Sequence, residues 1–172
     1  MIERKSVVTM HGGPLTLIGS EVKAGQKAPD FAVVDNDFGA VTLASSKGKV
    51  RLFSVVPSLD TPVCDLQTQR FEAEANKLAG DFILYTVSMD LPFAQKRYCG
   101  AHSISKVKTV SDHVHASFGA SYGVLIKELR LLARSIFIVD SSDTVRYVEY
   151  VKEVSTHPDY TKALAALKEI IK

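Results

Sequence analysis

Val50-Arg51-Leu52-Phe53-Ser54-Val55-Val56-Pro57, running directly into Ser58-Leu59-Asp60-Thr61-Pro62-Val63-Cys64, carries the reading of the fold. Its first seven residues are mostly apolar without clean alternation, the pattern of a buried parallel strand. Pro57 stops that strand, having no N–H to give to a ladder. Pro62 fits the first turn of a helix, where its missing N–H has no intrahelical partner anyway. The helix is expected from Pro62 to Leu78, with Cys64, Phe71, Ala75 and Leu78 on one face and Gly80 ending it. A thiol therefore falls just inside a helix start, directly after a strand.

Downstream, Phe82–Ser88 reads as the next buried strand and Leu91–Ala101 as a short helix carrying Cys99, the second of two cysteines. Val107–Val110 is a strand and Asp112–Phe118 a short helix. Ser135–Val139 and Val145–Val151 form a hairpin around Ser141-Ser142-Asp143. The last helix, Pro158–Ile171, has Leu164, Leu167, Ile170 and Ile171 on its apolar side. Upstream, residues 6–10 and 14–18 flank His11-Gly12-Gly13, a hairpin signal. A loop from Gly25 to Pro29, a short strand Phe31–Val34 and a turn at Asp35-Asn36-Asp37 follow. A hairpin, a βαβ half and a ββα half, in that order, match an α/β thioredoxin-like fold, a central mixed sheet flanked by helices. The expected organisation is a single domain, 1–172, with residues 1–20 as an N-terminal β-hairpin extension.

Bulk properties narrow the function. A chain of 172 residues can bury about 70% of its unfolded surface, so it needs neither disulfide nor metal to hold a core. The 21 basic and 19 acidic residues are well mixed, giving a net charge of +2. The densest basic cluster, Lys47-Gly48-Lys49-Val50-Arg51, has no interleaved aromatics and reads as a solvated loop, so no nucleic-acid partner is expected. No apolar run reaches the length of a membrane span, and His11-Gly12-Gly13 interrupts any signal-like region behind the charged Met1–Ser6. The expectation is a soluble, cytoplasmic protein with no membrane partner. In a reducing cytosol, a disulfide between two cysteines is more often transient and catalytic than structural.

The Pro57–Cys64 segment has the makings of a reactive site. A free thiol with a pKa of about 8.5 is only about 3% thiolate at pH 7, and a thiol of pKa about 6 has roughly 30-fold more. Fast reaction with a peroxide needs more than that. Each preorganised donor aimed at developing negative charge adds a factor of about 10² to 10³. The Thr61 hydroxyl and the unpaired N–H groups of the helix start, that of Cys64 included, are such donors. Pro57 fixes the backbone where the strand ends, and its ring can shield the sulfur from water.

Pro57, Thr61 and Cys64 in the pattern Pro-x-x-x-Thr-x-x-Cys resemble the active-site motif of peroxiredoxins. The longer set resembles the bacterial thiol peroxidases, the atypical two-cysteine branch: Val56 through Cys64, Gln67-Thr68, Tyr98-Cys99-Gly100-Ala101 and Leu132-Ala133-Arg134-Ser135. This likeness covers nearly the whole chain. It implies that Cys64 is the peroxidatic cysteine, attacking the O–O bond and becoming a sulfenic acid. Thr61 would hydrogen-bond the thiolate and the peroxide, Arg134 would hold Cys64 ionised, and Pro57 would shape the pocket. Cys99 would be the resolving cysteine, forming an intrachain Cys64–Cys99 disulfide that thioredoxin reduces. The likeness also implies a homodimer and no cofactor.

Chemistry is compatible with that pairing, since a sulfenic acid condenses readily with a nearby thiol and otherwise over-oxidises. The cysteines lie 35 positions apart on successive helices of one βαβ unit, and such helices can pack side by side. Spacing does not say whether the thiols touch. Plainer readings stand beside these. Cys99 next to Tyr98 has the setting of a small buried hydrophobe. Arg134 opens an apolar strand, where it could snorkel, and Thr61 could act only as a helix cap. Gln67 and Thr68 could be a polar face, and Phe93, Tyr122 and Leu129 read as core rather than pocket. His113-x-His115 lacks the further ligands of a metal site, so none is expected. Two alternatives to a peroxidase remain: a peroxide-responsive redox sensor or relay acting on a protein partner, and a disulfide oxidoreductase, whose usual Cys-x-x-Cys is missing at Cys64.

Overall fold

A computed structural model describes residues 1–171. The chain begins with a hairpin, β1 (Glu3–Met10) and β2 (Gly13–Ile18), turned by His11 and Gly12 at φ 50° and 80°. Positive φ at both turn residues matches the twist of paired strands. β3 (Ala32–Val34), β4 (Ala40–Thr42) and a 3-10 turn (Leu43–Ser46) come next. They lead to β5 (Val50–Val55), α1 (Pro62–Ala75), β6 (Phe82–Ser88), α2 (Pro92–His102) and β7 (Val107–Ser111). After these come α3 (Ser117–Ser121), β8 (Leu125–Ile126), β9 (Ser135–Val139), β10 (Val145–Tyr150) and α4 (Tyr160–Ile170).

Seven strands form one mixed sheet in the order β10-β9-β5-β6-β7-β3-β4. β5, β6 and β7 are parallel, while β9, β10, β3 and β4 are added antiparallel. This is the thioredoxin-like arrangement, with the N-terminal hairpin outside it in a three-stranded sheet with β8. On one face Phe71 and Ala75 of α1 and Tyr160, Ala163, Leu164 and Leu167 of α4 pack on Val50, Leu52, Leu84, Ile136 and Ile138. On the other, Phe53, Val55, Tyr85 and Phe137 lie under Phe31, Phe118, Tyr122 and the hairpin residues Val8 and Leu17. Each of these large side chains contributes about 1.5–3 kcal/mol through burial. Among the described residues no helix is long and apolar enough to cross a membrane.

Several sequence expectations are corrected here. Arg51 is fully buried in β5 rather than on a solvated loop, its Nη1 donating to the Lys49 and Asp140 carbonyls at 2.6 and 2.8 Å and its Nη2 to Asp143. The helix expected over Asp112–Phe118 lies instead at Ser117–Ser121, because the Asp112 carboxylate accepts the Phe118 and Gly119 N–H groups at 2.9 and 2.8 Å from outside it. α1 ends at Ala75, where the Asn76 side chain donates to the Glu72 carbonyl at 2.9 Å and the chain tightens into i to i−3 bonds. Gly80 is a loop residue at φ 130°, where a Cβ would meet the Ile171 carbonyl oxygen at 2.7 Å. Tyr122 is core as expected, but Phe93 and Leu129 are 71% and 43% exposed.

Candidate active site

The parallel strand β5 delivers the chain to the C-terminal edge of the sheet, where Val56 still donates its N–H to Val87 at 3.0 Å and Pro57 is buried. Asp90, just past β6, fixes the loop that follows. Its Oδ1 accepts the Ser58 hydroxyl at 2.7 Å, and its Oδ2 accepts the Leu59 N–H at 2.8 Å and the Ser88 hydroxyl at 2.7 Å. Thr61 occupies the N-cap in extended conformation, and Pro62 opens the helix. Thr61 is exposed, and its hydroxyl donates to the Ser58 carbonyl at 2.9 Å rather than pointing to the sulfur. The first intrahelical bond runs from the Asp65 N–H to the Thr61 carbonyl, so the amides of Val63 and Cys64 precede the ladder.

Cys64 is wholly buried among Val56, Leu59 and Tyr98, and both cysteines are free thiols. Arg134, at the foot of β9 and 2% exposed, donates from Nη2 to the Cys64 Sγ at 3.3 Å. Its Nη1 donates to the Gln67 Oε1 at 2.7 Å and its Nε to the Val154 carbonyl at 2.9 Å. Gln67, one turn beyond Cys64, in turn donates to the Ser54 hydroxyl of β5 at 2.7 Å. Sheet and helix are thus tied into one polar chain ending on sulfur. Among the described residues no ion pair includes Arg134. Among the described residues the buried guanidinium thus has no carboxylate partner, and it directs one N–H donor at the Cys64 sulfur.

Cys99 does not join this cluster. Its Sγ lies 3.4 Å from the Thr109 Oγ1 of β7 and 4.0 Å from the Asn36 side-chain amide, at a surface cavity of about 430 Å³. Its neighbour Tyr98 faces Cys64 instead, donating its hydroxyl to the Asp65 Oδ1 at 2.7 Å. Burial pushes the Tyr98 phenol up, and the bond to Asp65 adds to it, so it stays protonated well above the ordinary tyrosine range. Burial also pulls the Asp65 carboxyl up, but hydrogen bonds from Tyr98 and Gln69, with His102 nearby, outweigh it and hold that carboxyl below its ordinary value.

Sequence reasoning missed Asp90, Asp65 and Glu72. The last is a buried carboxylate near the end of α1 that accepts the Ser105, Lys106 and Val107 N–H groups at 2.8–3.0 Å. An acid at a buried helical position is the one signal that pointed to it. Burial pulls the Glu72 carboxyl up, yet the N–H donors of Val107, Lys106 and Ser105 prevail and hold it below 4.5. A depressed carboxyl stabilises the fold above its unfolded pKa, and that stability is lost as pH falls through the lower folded value. Glu72→Gln is expected to cost about 1–3 kcal/mol at pH 7. It should also flatten the fall in stability below pH of about 4.5. Thermal unfolding of both proteins across pH 3–7 checks this.

Comparison with known proteins gives the family. The Redoxin family model matches residues 23–164. The thiol peroxidase of Halalkalibacterium halodurans is 58% identical over 161 residues, 94% of this chain and 96% of that protein. That of Bacillus subtilis is 56% identical over 165 residues, 96% and 98% of the two chains. Among solved structures, a peroxiredoxin-like protein from Aquifex aeolicus superposes with a TM-score of 0.90 at 38% identity, covering 96% of this chain and 98% of that one. With identity above one half sustained over nearly full length, and a fold to match, the chain belongs to the thiol peroxidases, within the redoxins.

Proposed function

We propose that the chain is a thiol-dependent peroxidase that reduces hydrogen peroxide and small alkyl hydroperoxides at Cys64, with Cys99 as resolving thiol and thioredoxin as reductant. The observation that carries this reading is the buried Arg134 guanidinium directed at the Cys64 sulfur with no carboxylate beside it. In the first step the Cys64 thiolate attacks the nearer peroxide oxygen. The O–O bond breaks, the leaving oxygen takes a proton to become water or an alcohol, and sulfur is oxidised to sulfenic acid. Arg134 and the free amides of the first turn of α1 stabilise the charge moving across the O–O bond. Thr61, one exposed residue before the helix, supplies a hydroxyl to the peroxide once it leaves the Ser58 carbonyl. Pro57, buried beneath the loop, keeps water from the sulfur.

In the second step the Cys99 sulfur attacks the sulfenic sulfur, a disulfide forms and water leaves. Two thiols of thioredoxin then reduce the disulfide through a mixed intermediate, themselves becoming oxidised. The reading includes a homodimer working in the cytoplasm, both supported by membership of the family. A relay that oxidises a protein partner has no observation in its favour here. Peroxide, thioredoxin, its reductase and NADPH mixed with the protein should give catalytic NADPH oxidation, and its absence overturns the peroxidase. Cys99→Ser should complete a single peroxide turnover and leave a sulfenic acid on Cys64, detected by mass after dimedone trapping. Undiminished recycling of that variant by thioredoxin rules out the resolving role.

A further inference from the structure

Tyr98 and Cys99 are successive residues of α2, and Asp65 directly follows Cys64 in α1. Successive helical residues point about 100° apart. While Tyr98 fills the space beside Cys64, Cys99 must therefore face away, and it does, towards Thr109 and Asn36. The two orientations exclude each other. Bringing Cys99 to the Cys64 sulfur requires that Tyr98 leave its place and that its bond to Asp65 break.

That bond is built as a small cluster. The Tyr98 hydroxyl donates to the Asp65 Oδ1 at 2.7 Å, and Gln69 Nε2 donates to the same oxygen at 2.6 Å. The His102 ring stacks on Tyr98 with centroids 4.4 Å apart, its Nδ1 lying 3.7 Å from the Asp65 Oδ1 and 3.3 Å from Gln69 Nε2. The stretch that must move has firm ends. Gln95, fully buried, donates to the Ser88 hydroxyl and the Val110 carbonyl at 3.0 and 2.9 Å, and Glu72 holds the backbone from Ser105 onward. Between them no residue from 96 to 104 is fully buried, Gly100 weakens the helix, and Ser103 ends it in the left-handed region at φ 55°. Outside the cluster this segment is held by the exposed Lys96–Asp37 ion pair, the contacts of Cys99 with Thr109 and Asn36, and Ile104 at its end, which packs on the core.

We propose that Tyr98 is a positioning residue for the resolving step, its bond to Asp65 being the latch whose opening sets the rate at which the Cys64 sulfenic acid meets Cys99. The inference rests on Cys99 being the resolving thiol. It makes the latch a determinant of peroxide tolerance, because a sulfenic acid that waits longer for a thiol is exposed to a second peroxide and to sulfinic acid formation. Tyr98→Phe keeps the ring over Cys64 and removes the hydroxyl alone.

The test is rapid mixing of the reduced protein with hydrogen peroxide, quenching with an alkylating agent, and mass analysis of sulfenate, disulfide and sulfinate over time. In Tyr98→Phe the disulfide should form about fivefold faster from the sulfenate, the effect of losing one partly exposed charge-assisted hydrogen bond. Sulfenate formation should stay within about twofold of the parent, and the peroxide concentration giving half sulfinate should rise in proportion to the resolving rate. Amide exchange in the reduced variant should increase over 96–104 and not in β5 or β6, which a general loosening of the fold would not produce. An unchanged or slower resolving step overturns the latch. If the parent itself forms no Cys64–Cys99 disulfide, it is the resolving role that fails. His102→Ala, which removes the stacked ring from the exposed side, should act in the same direction and serves if Tyr98→Phe does not fold.

Discussion

Cys64→Ser is expected to lower the rate of peroxide reduction by at least about 10³-fold, to the background of the remaining side chains. The hydroxyl would sit against the same guanidinium and the same free amides, since Ser and Cys differ little in size and Cys64 makes no covalent bond. Everything that surrounds the reacting atom is therefore preserved, and only its nucleophilicity is removed: a serine hydroxyl is weakly acidic and needs a base at hand, which this cluster does not offer. Arg134 keeps an acceptor in the hydroxyl, so the unfolding temperature should change little while activity is lost. The coupled NADPH assay and a thermal melt on the same sample separate the two effects. Retention of full activity would show that the site has been placed wrongly.

Arg134→Lys is the second large effect, with peroxide reduction expected to fall by about 10² to 10³-fold. A planar guanidinium reaches three acceptors at once here: the Cys64 Sγ, the Gln67 Oε1 and the Val154 carbonyl. An ammonium is a point charge on a flexible stem and cannot hold all three directions, although its charge is the same. Whichever acceptor it abandons is buried and left unsatisfied, at about 1–3 kcal/mol of stability. Stopped-flow measurement of sulfenate formation would show the rate loss in the first step, and disulfide formation from sulfenate should be much less affected. An equal loss in both steps would mean that Arg134 acts by holding the fold rather than by serving the sulfur.

Much of this architecture was legible because it is written locally. The mostly apolar run of β5, the halt at Pro57 and Pro62 at a helix start give strand, loop and helix within thirteen residues. The limits of β6 and β9 agree with the apolar runs residue for residue. Elements that depend on partners were not legible. β4 and β8 have three and two residues, too few to show a period, and exist because β3 and β2 pair with them. α3 starts where the Asp112 side chain, from five residues upstream, can accept its first N–H groups, and Phe93 looks apolar in sequence but projects into solvent.

The site divides in the same way. Pro57, Thr61 and Cys64 share one segment, so their closeness follows from chain connectivity. Arg134 was named only through family resemblance, and the fold brings it 3.3 Å from a sulfur seventy residues away. The Asp90 brace and the Tyr98–Asp65 bond lay beyond reach, because an acid or a tyrosine on a helix or loop carries no mark of the partner that it will find.

The Val154 carbonyl that receives the Nε of Arg134 belongs to a loop after β10, apart from both helices that carry the thiols. The positive charge is thus moored to a segment that carries neither thiol, while the rearrangement proposed above lies in the helix that carries Cys99. In the proposed cycle, the segment around Cys99 can leave and return while the guanidinium keeps its bonds to Val154, Gln67 and the Cys64 sulfur. The dipoles around the sulfur then stay in place through the resolving step, so the speed of a second cycle should depend on the return of residues 96–104 to their helical register and not on the assembly of the catalytic field.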